Sequence, residues 1–144
     1  MKLACVLALA LLAATMPLGA EKKIIQPKEF ATGAPFSPGV LVDGTLYVAG
    51  QTGRDLKTGK VPENFEAEVR QTLDSIGIIL REAKMSYPDV VSVQVYLTDM
   101  DLFQRMNAVY TMYFKEQRPS RTTVGVTKLA APGARIEITA TARR

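Results

Sequence analysis

Arg118-Pro119-Ser120-Arg121-Thr122-Thr123-Val124-Gly125-Val126 is the stretch on which the reading of the fold turns. After Pro119 the residues are mostly β-branched and alternate, the pattern of a strand running over 121–127. Arg121 stands at the head of that strand among threonines and valines. Three readings are open for it: a surface charge, half of an ion pair, or the anchor of an anionic ligand. A second alternating run, 134–142, follows after the short connection 129–133. Side chains alternate across a strand. Ile136, Ile138, Ala140 and Ala142 therefore share one face, and Arg135, Glu137, Thr139 and Thr141 the other. Paired as a hairpin, the two runs would turn Thr122, Val124 and Val126 towards the helices. Arg121, Thr123, Gly125 and Thr127 would then point away from them, with Arg121 and Glu137 as cross-strand neighbours. A helix-free sheet face of threonines and one charge pair suits subunit packing.

The order of elements upstream is read from the same local signals. Residues 22–26 form a short strand, and the Pro- and Gly-rich segment 27–39 an ordered loop. Val40, Leu41 and Val42, then Asp43-Gly44, then 45–51 read as a hairpin around a favoured two-residue turn. Pro62 opens a helix whose buried stripe is Phe65, Val69, Leu73, Ile76 and Leu80, with Glu63, Glu66 and Glu68 at its positive end. Gly77 is a poor interior helix residue and points to close packing there. Val91, Val93, Val95 and Leu97 alternate with polar residues as a half-buried strand. Asp101 is the expected cap of a second helix reaching Lys115, with Leu102, Met106, Tyr110 and Tyr113 or Phe114 inward. The order β-β-β-α-β-α-β-β predicts a single α+β domain over 21–144, a mixed sheet covered by two helices on one face.

Composition removes whole classes of chemistry. The 144 residues contain no histidine and one cysteine, Cys5. Ordinary zinc sites and Ser-His-Asp or Cys-His catalysis are thereby excluded. Any reaction must use carboxylates, arginine, hydroxyls or backbone, and the reading includes no cofactor. The opening MKLACVLALALLAATMPLGA has the layout of a signal peptide over 1–20, too short in its apolar run to span a bilayer. The expectation is export to a periplasmic or extracellular place, with no membrane association once the signal is removed. Loss of Lys2 with that segment leaves 17 basic against 14 acidic residues, a net charge of +3. The basic residues are scattered, unlike the clustered patch of a nucleic-acid binder, so no nucleic-acid partner is expected. Tyr47, Tyr87, Tyr96, Tyr110 and Tyr113 read as core or interface residues, and Met100, Met106 and Met112 as helix packing.

The stretch from Pro119 to Val126, followed by Ala130-Ala131-Pro132-Gly133-Ala134-Arg135-Ile136-Glu137-Ile138, resembles the signature of the RidA/YjgF family of imine/enamine deaminases. Gly33-Ala34-Pro35-Phe36-Ser37, Tyr47-Val48-Ala49-Gly50-Gln51, Leu56-Lys57-Thr58-Gly59 and Met106-Asn107-Ala108-Val109-Tyr110 agree in order, so the resemblance covers residues 22–144. It implies a chorismate-mutase-like fold and a homotrimer with clefts between neighbouring subunits. The implied activity is that of a 2-iminobutanoate/2-iminopropanoate deaminase, hydrolysing 2-imino acids or enamines to 2-oxo acids and ammonia. Arg121 would bind the carboxylate, Glu137 would position or activate water, and Thr123 would offer a hydrogen bond. Phe36, Ala49, Gly50 and Asn107 would line the cleft. Phe36, Ala49 and Thr123 stand where many active members carry Tyr, Ser and Cys. The cleft should therefore be more apolar, favouring a larger apolar substrate side chain or slow turnover. A non-catalytic carboxylate-binding protein of the same fold is the alternative.

Overall fold

The computed structural model describes residue 19 and residues 21–144; the expected signal segment falls almost wholly outside them. The described elements come in the predicted order. They are β1 (Lys23–Ile25), β2 (Gly39–Val42), β3 (Thr45–Thr52), α1 (Phe65–Glu82), β4 (Val90–Leu97), α2 (Phe103–Tyr113), β5 (Ser120–Gly125) and β6 (Ile136–Arg143). Single 3-10 turns at Tyr87–Asp89 and Met100–Leu102 lead into β4 and α2.

Local chemistry explains most boundaries. Asp43 and Gly44 both have positive φ, at 47° and 70°, as the tight turn between β2 and β3 requires. α1 begins at Phe65 rather than at Pro62. Asn64 is its cap, its side-chain oxygen accepting the Ala67 N–H at 2.8 Å. Asp99, not Asp101, caps the turn ahead of α2 by accepting the Asp101 N–H at 2.9 Å. The α1 stripe is fully buried, and Gly77 is there for packing. A Cβ at that position would lie 2.5 Å from the Tyr87 hydroxyl, which donates to the Leu73 carbonyl at 2.8 Å.

The six strands form one sheet in the order β1-β2-β3-β6-β4-β5. Only β4 and β5 are parallel; the other pairs are antiparallel. α1 packs on β3 and β6 and against α2. Parallel neighbours need a crossover element, and α2 supplies it between β4 and β5.

This order overturns the expected β5–β6 hairpin, because β4 lies between the two strands. Arg121 is in register with Val93 and Glu137 with Tyr96. Two strand spacings and a three-residue offset put their Cα atoms roughly 14 Å apart. The faces also differ from expectation. Val93 and Val95 are buried under the helices, and Arg121 and Thr123 share their face. Thr122 and Val124 point to the open face instead, Val124 being 41% exposed. Glu137 lies on that open face, because its neighbours Ile136 and Ile138 are wholly buried. Arg121 and Glu137 thus stand on opposite faces of the sheet and form no ion pair. Alternation alone had assigned the row holding Val124 to the core. The register with β4 decides otherwise.

Candidate functional site

The residues expected in one cleft divide into two groups. The first is built by α2 over β5. Phe103, Met106 and Tyr110 lie on one stripe of α2, spaced by three and four residues. The Arg121 guanidinium carbon is 4.5 Å from the Tyr110 ring centre and 5.7 Å from that of Phe103. One of its terminal nitrogens is 3.9 Å from the Met106 sulfur. Among the described residues Arg121 forms no ion pair. It faces a cavity of about 360 Å³ that it lines with Asn107, Tyr110, Thr111, Arg118 and Pro119. No acidic side chain lines that cavity. The Tyr110 hydroxyl and Thr123 Oγ1 are both buried without a hydrogen-bond partner. Burial pushes the Tyr110 hydroxyl pKa up, and the Arg121 charge pulls it partly back.

The second group surrounds Glu137. β3 carries a register shift between Val48 and Gln51, opposite β6, which places Ala49 and Gly50 in the irregular step. A Cβ on Gly50 would fall on the Glu137 carboxylate, so this approach requires glycine. Glu137, Gly50 and Phe36 line a second cavity of about 480 Å³. Phe30, Leu56 and Ala131 add apolar wall, and Phe36 itself is 60% exposed. The Leu56 loop is held by Asp55, whose carboxylate accepts the Lys57 and Thr58 N–H groups at 3.0 and 2.6 Å. The Thr58 hydrogen bonds hold the Asp55 pKa below the usual carboxylate range. Ala49 is not part of the cavity wall; its backbone N–H donates to the Pro38 carbonyl, tying the Phe36 loop to β3.

Arg121 and Asn107 therefore line one cavity, and Phe36, Gly50 and Glu137 the other; Thr123, on the Arg121 face of β5, and Ala49 line neither. Sequence reasoning missed Tyr110 and Arg118 as cavity residues. A signal existed for Tyr110, which lies three residues from Asn107 on the same helix face. Arg118 is tethered through its Nε to the Phe114 carbonyl at 3.2 Å. Among the described residues no three His, Cys, Asp or Glu side chains are grouped to hold a metal ion. No described helix is long and apolar enough to cross a membrane.

Comparison with known proteins agrees with this fold. The family described as Endoribonuclease L-PSP matches residues 26–144. The 2-iminobutanoate/2-iminopropanoate deaminase of Bos taurus is 40% identical over 123 residues, spanning 85% of this chain and 89% of that protein. A RutC family protein of Aquifex aeolicus is 37% identical over 110 residues, 75% of this chain and 88% of its own length. Among solved structures, the YjgF gene product from E. coli superposes with a TM-score of 0.78 at 32% identity. The match covers 85% of this chain and 98% of that one. E. coli TdcF with bound serine gives a TM-score of 0.78 at 30% identity, covering 85% and 98%. These matches correct the expectation of a signal peptide and secretion. The family match begins at residue 26, and neither the matches nor the described residues support a signal peptide or secretion. By its matched length, its fold and its relatives, the chain belongs to the RidA/YjgF family.

Proposed function

We propose that the protein hydrolyses 2-imino acids, or their enamine tautomers, to 2-oxo acids and ammonia in a cleft completed by a second copy of the chain. The observation that carries this reading is the unpaired Arg121 guanidinium facing a cavity without an acidic wall. Its planar fork suits a bidentate contact with a carboxylate. Asn107 and the unpartnered Thr123 hydroxyl stand in the same half. Glu137, on the other face of the sheet, cannot reach a ligand held there by its own chain. A neighbouring copy in a homotrimer would bring its Glu137, Gly50 and Phe36 to the Arg121 half.

The chemistry needs little else. Arg121 fixes the carboxylate and with it the imine carbon. Water adds its oxygen to that carbon while Glu137 accepts a water proton. That proton passes to the nitrogen and gives a carbinolamine; the hydroxyl proton then passes by way of Glu137 to the amine, the C–N bond breaks, ammonia leaves and the carbonyl forms. No cofactor enters the scheme. The apolar wall of Phe30, Phe36 and Leu56 favours substrates with apolar side chains. The deaminase names of relatives and the serine bound to E. coli TdcF support a small carboxylate-bearing ligand. The acidic wall around Glu137, which includes Glu29 and Asp55, speaks against a polyanion such as RNA. A second reading, carboxylate binding without turnover, is favoured by one observation: Phe36 brings no hydroxyl to the cleft.

The test generates 2-imino acids in situ from amino acids with an amino-acid oxidase and follows their loss. Acceleration that disappears in Arg121→Ala and in Glu137→Gln supports the reading. Co-assembling the two inactive variants should restore part of the rate, because some clefts then receive an intact Arg121 and an intact Glu137 from different chains. No recovery in mixed trimers counts against the shared cleft. Saturable 2-oxo acid binding without acceleration moves the conclusion to the binding protein.

A further inference from the structure

We infer that Tyr110 is a substrate-positioning residue: its ring orients the Arg121 guanidinium so that the free N–H edge meets the carboxylate. The inference rests on the reading of Arg121 as the carboxylate anchor. Arginine side chains are long, and an unpaired one on a strand has many rotamers to lose on binding. The other cationic side chains near buried positions are restrained by acceptors. Arg135 donates to Glu68 and to two carbonyls, and Arg118 to the Phe114 carbonyl. Among the described residues Arg121 has no oxygen acceptor, only the weak Met106 sulfur, yet it is only partly exposed. What lies against it is the face of Tyr110 at 4.5 Å, with Phe103 and the Met106 sulfur beside it.

Aromatic faces attract a guanidinium without using its N–H donors. An acidic partner would orient Arg121 too, but would occupy the donors that a substrate carboxylate needs. Tyr110 is suited to the task because it is itself fixed. It is 4% exposed, and its ring packs against Phe114 with centres 4.5 Å apart. It also lines the Arg121 cavity. Among the described residues its hydroxyl makes no well-formed hydrogen bond, although the Arg121 charge acts on it, so Tyr110→Phe keeps the ring and removes only that polar contact.

The experiment measures 2-oxobutanoate binding by calorimetry for the full-length protein, Arg121→Ala, Tyr110→Phe and Tyr110→Met, with thermal unfolding of each. Phe keeps the aromatic face; Met fills similar space without it. The expected result is binding within about twofold of the parent for Tyr110→Phe and roughly tenfold weaker for Tyr110→Met. Phe103→Leu, whose ring centre is 5.7 Å from the Arg121 guanidinium carbon, serves if Tyr110→Met does not fold, with an expected loss of roughly threefold. Loss of binding in Arg121→Ala with full binding in Tyr110→Met, or in Phe103→Leu where that variant stands in, overturns the inference alone. Equal damage from Phe and Met overturns it too. Full binding in Arg121→Ala overturns the anchor reading and the inference with it.

Discussion

Arg135 and Arg121 are the same residue type placed at opposite ends of the same problem. Arg135 sits just before β6 and is held by acceptors. Its backbone N–H and Nε donate to the two oxygens of Glu68 at 2.6 and 2.7 Å. Its Nη2 donates to the Pro62 and Glu63 carbonyls, and the guanidinium lies over the Phe65 ring. Glu68 is completely buried in the first turn of α1, so this network ties the start of the helix to the sheet. Arg121 has rings and a sulfur around it, and no carboxylate. The difference teaches that an arginine's role is read from its acceptors. One bound to a buried carboxylate and to carbonyls holds the fold, and one that meets no oxygen acceptor is available to a ligand.

The largest expected effect is at Arg135. Arg135→Leu leaves the Glu68 carboxylate buried without its partner and should cost about 3–5 kcal/mol in urea unfolding. Arg121→Ala should change stability by less than about 1 kcal/mol, because only ring and sulfur contacts are lost. The same variant should weaken 2-oxo acid binding more than tenfold, as expected for a lost charge-assisted contact worth about 1.5–3 kcal/mol. Equal stability losses at the two arginines would erase the distinction between them.

Two glycines of the same chain segment sharpen it. Gly53 lies where a Cβ would run into Glu68, and Gly50 where it would run into the Glu137 carboxylate. Gly53→Ala meets the Glu68 backbone carbonyl and its side-chain Cγ, so its cost should reach about 1–3 kcal/mol of stability. Gly50→Ala meets a side chain that can swing away. Its larger effect should be on imine turnover, with a smaller loss of stability. Gly77→Ala tests the packing beneath both regions. Alanine gains about 1 kcal/mol of helix propensity, but it displaces the Tyr87 hydroxyl from the Leu73 carbonyl. A net loss in unfolding free energy is expected.

The smallest effect is electrostatic. Burial raises the Tyr110 pKa above 10.0 and Arg121 opposes that rise, so Arg121→Ala should move Tyr110 higher in an ultraviolet pH titration. The sign of the linked stability follows. A group with a raised folded pKa holds its proton more tightly when folded. Its contribution is complete below the unfolded value near pH 10 and is lost as pH climbs through the folded value. Tyr113, pushed to about 12 mainly by burial and then by its hydrogen bond to Asp74, adds a loss between pH 10 and 12. Tyr113→Phe should flatten that part of the curve.

Much of this was legible before any coordinates. Local periodicity and turn chemistry located both helices and all six strands, and the motif around Arg121 led to the family. The places where prediction and structure part company are non-local. Nothing between Val126 and Arg135 announces that the chain crosses over β4, and a short connection between two alternating runs reads as a hairpin. The two rows of β5 differ too little in polarity to reveal which one faces the helices. Tyr110 was read as core packing, and it is buried; its second role is visible only once Arg121 lies against it.

The sequence alone excluded histidine-dependent chemistry, through its lack of histidine, and determined the α+β order of elements, through side-chain periods of 2 and 3.6. Those are properties of each segment by itself. The tertiary structure decided strand order, sheet face and the separation of Arg121 from Glu137. These depend on pairing between segments far apart in the chain, where burial of Val93 and Val95 against the helices outweighs any local preference of β5.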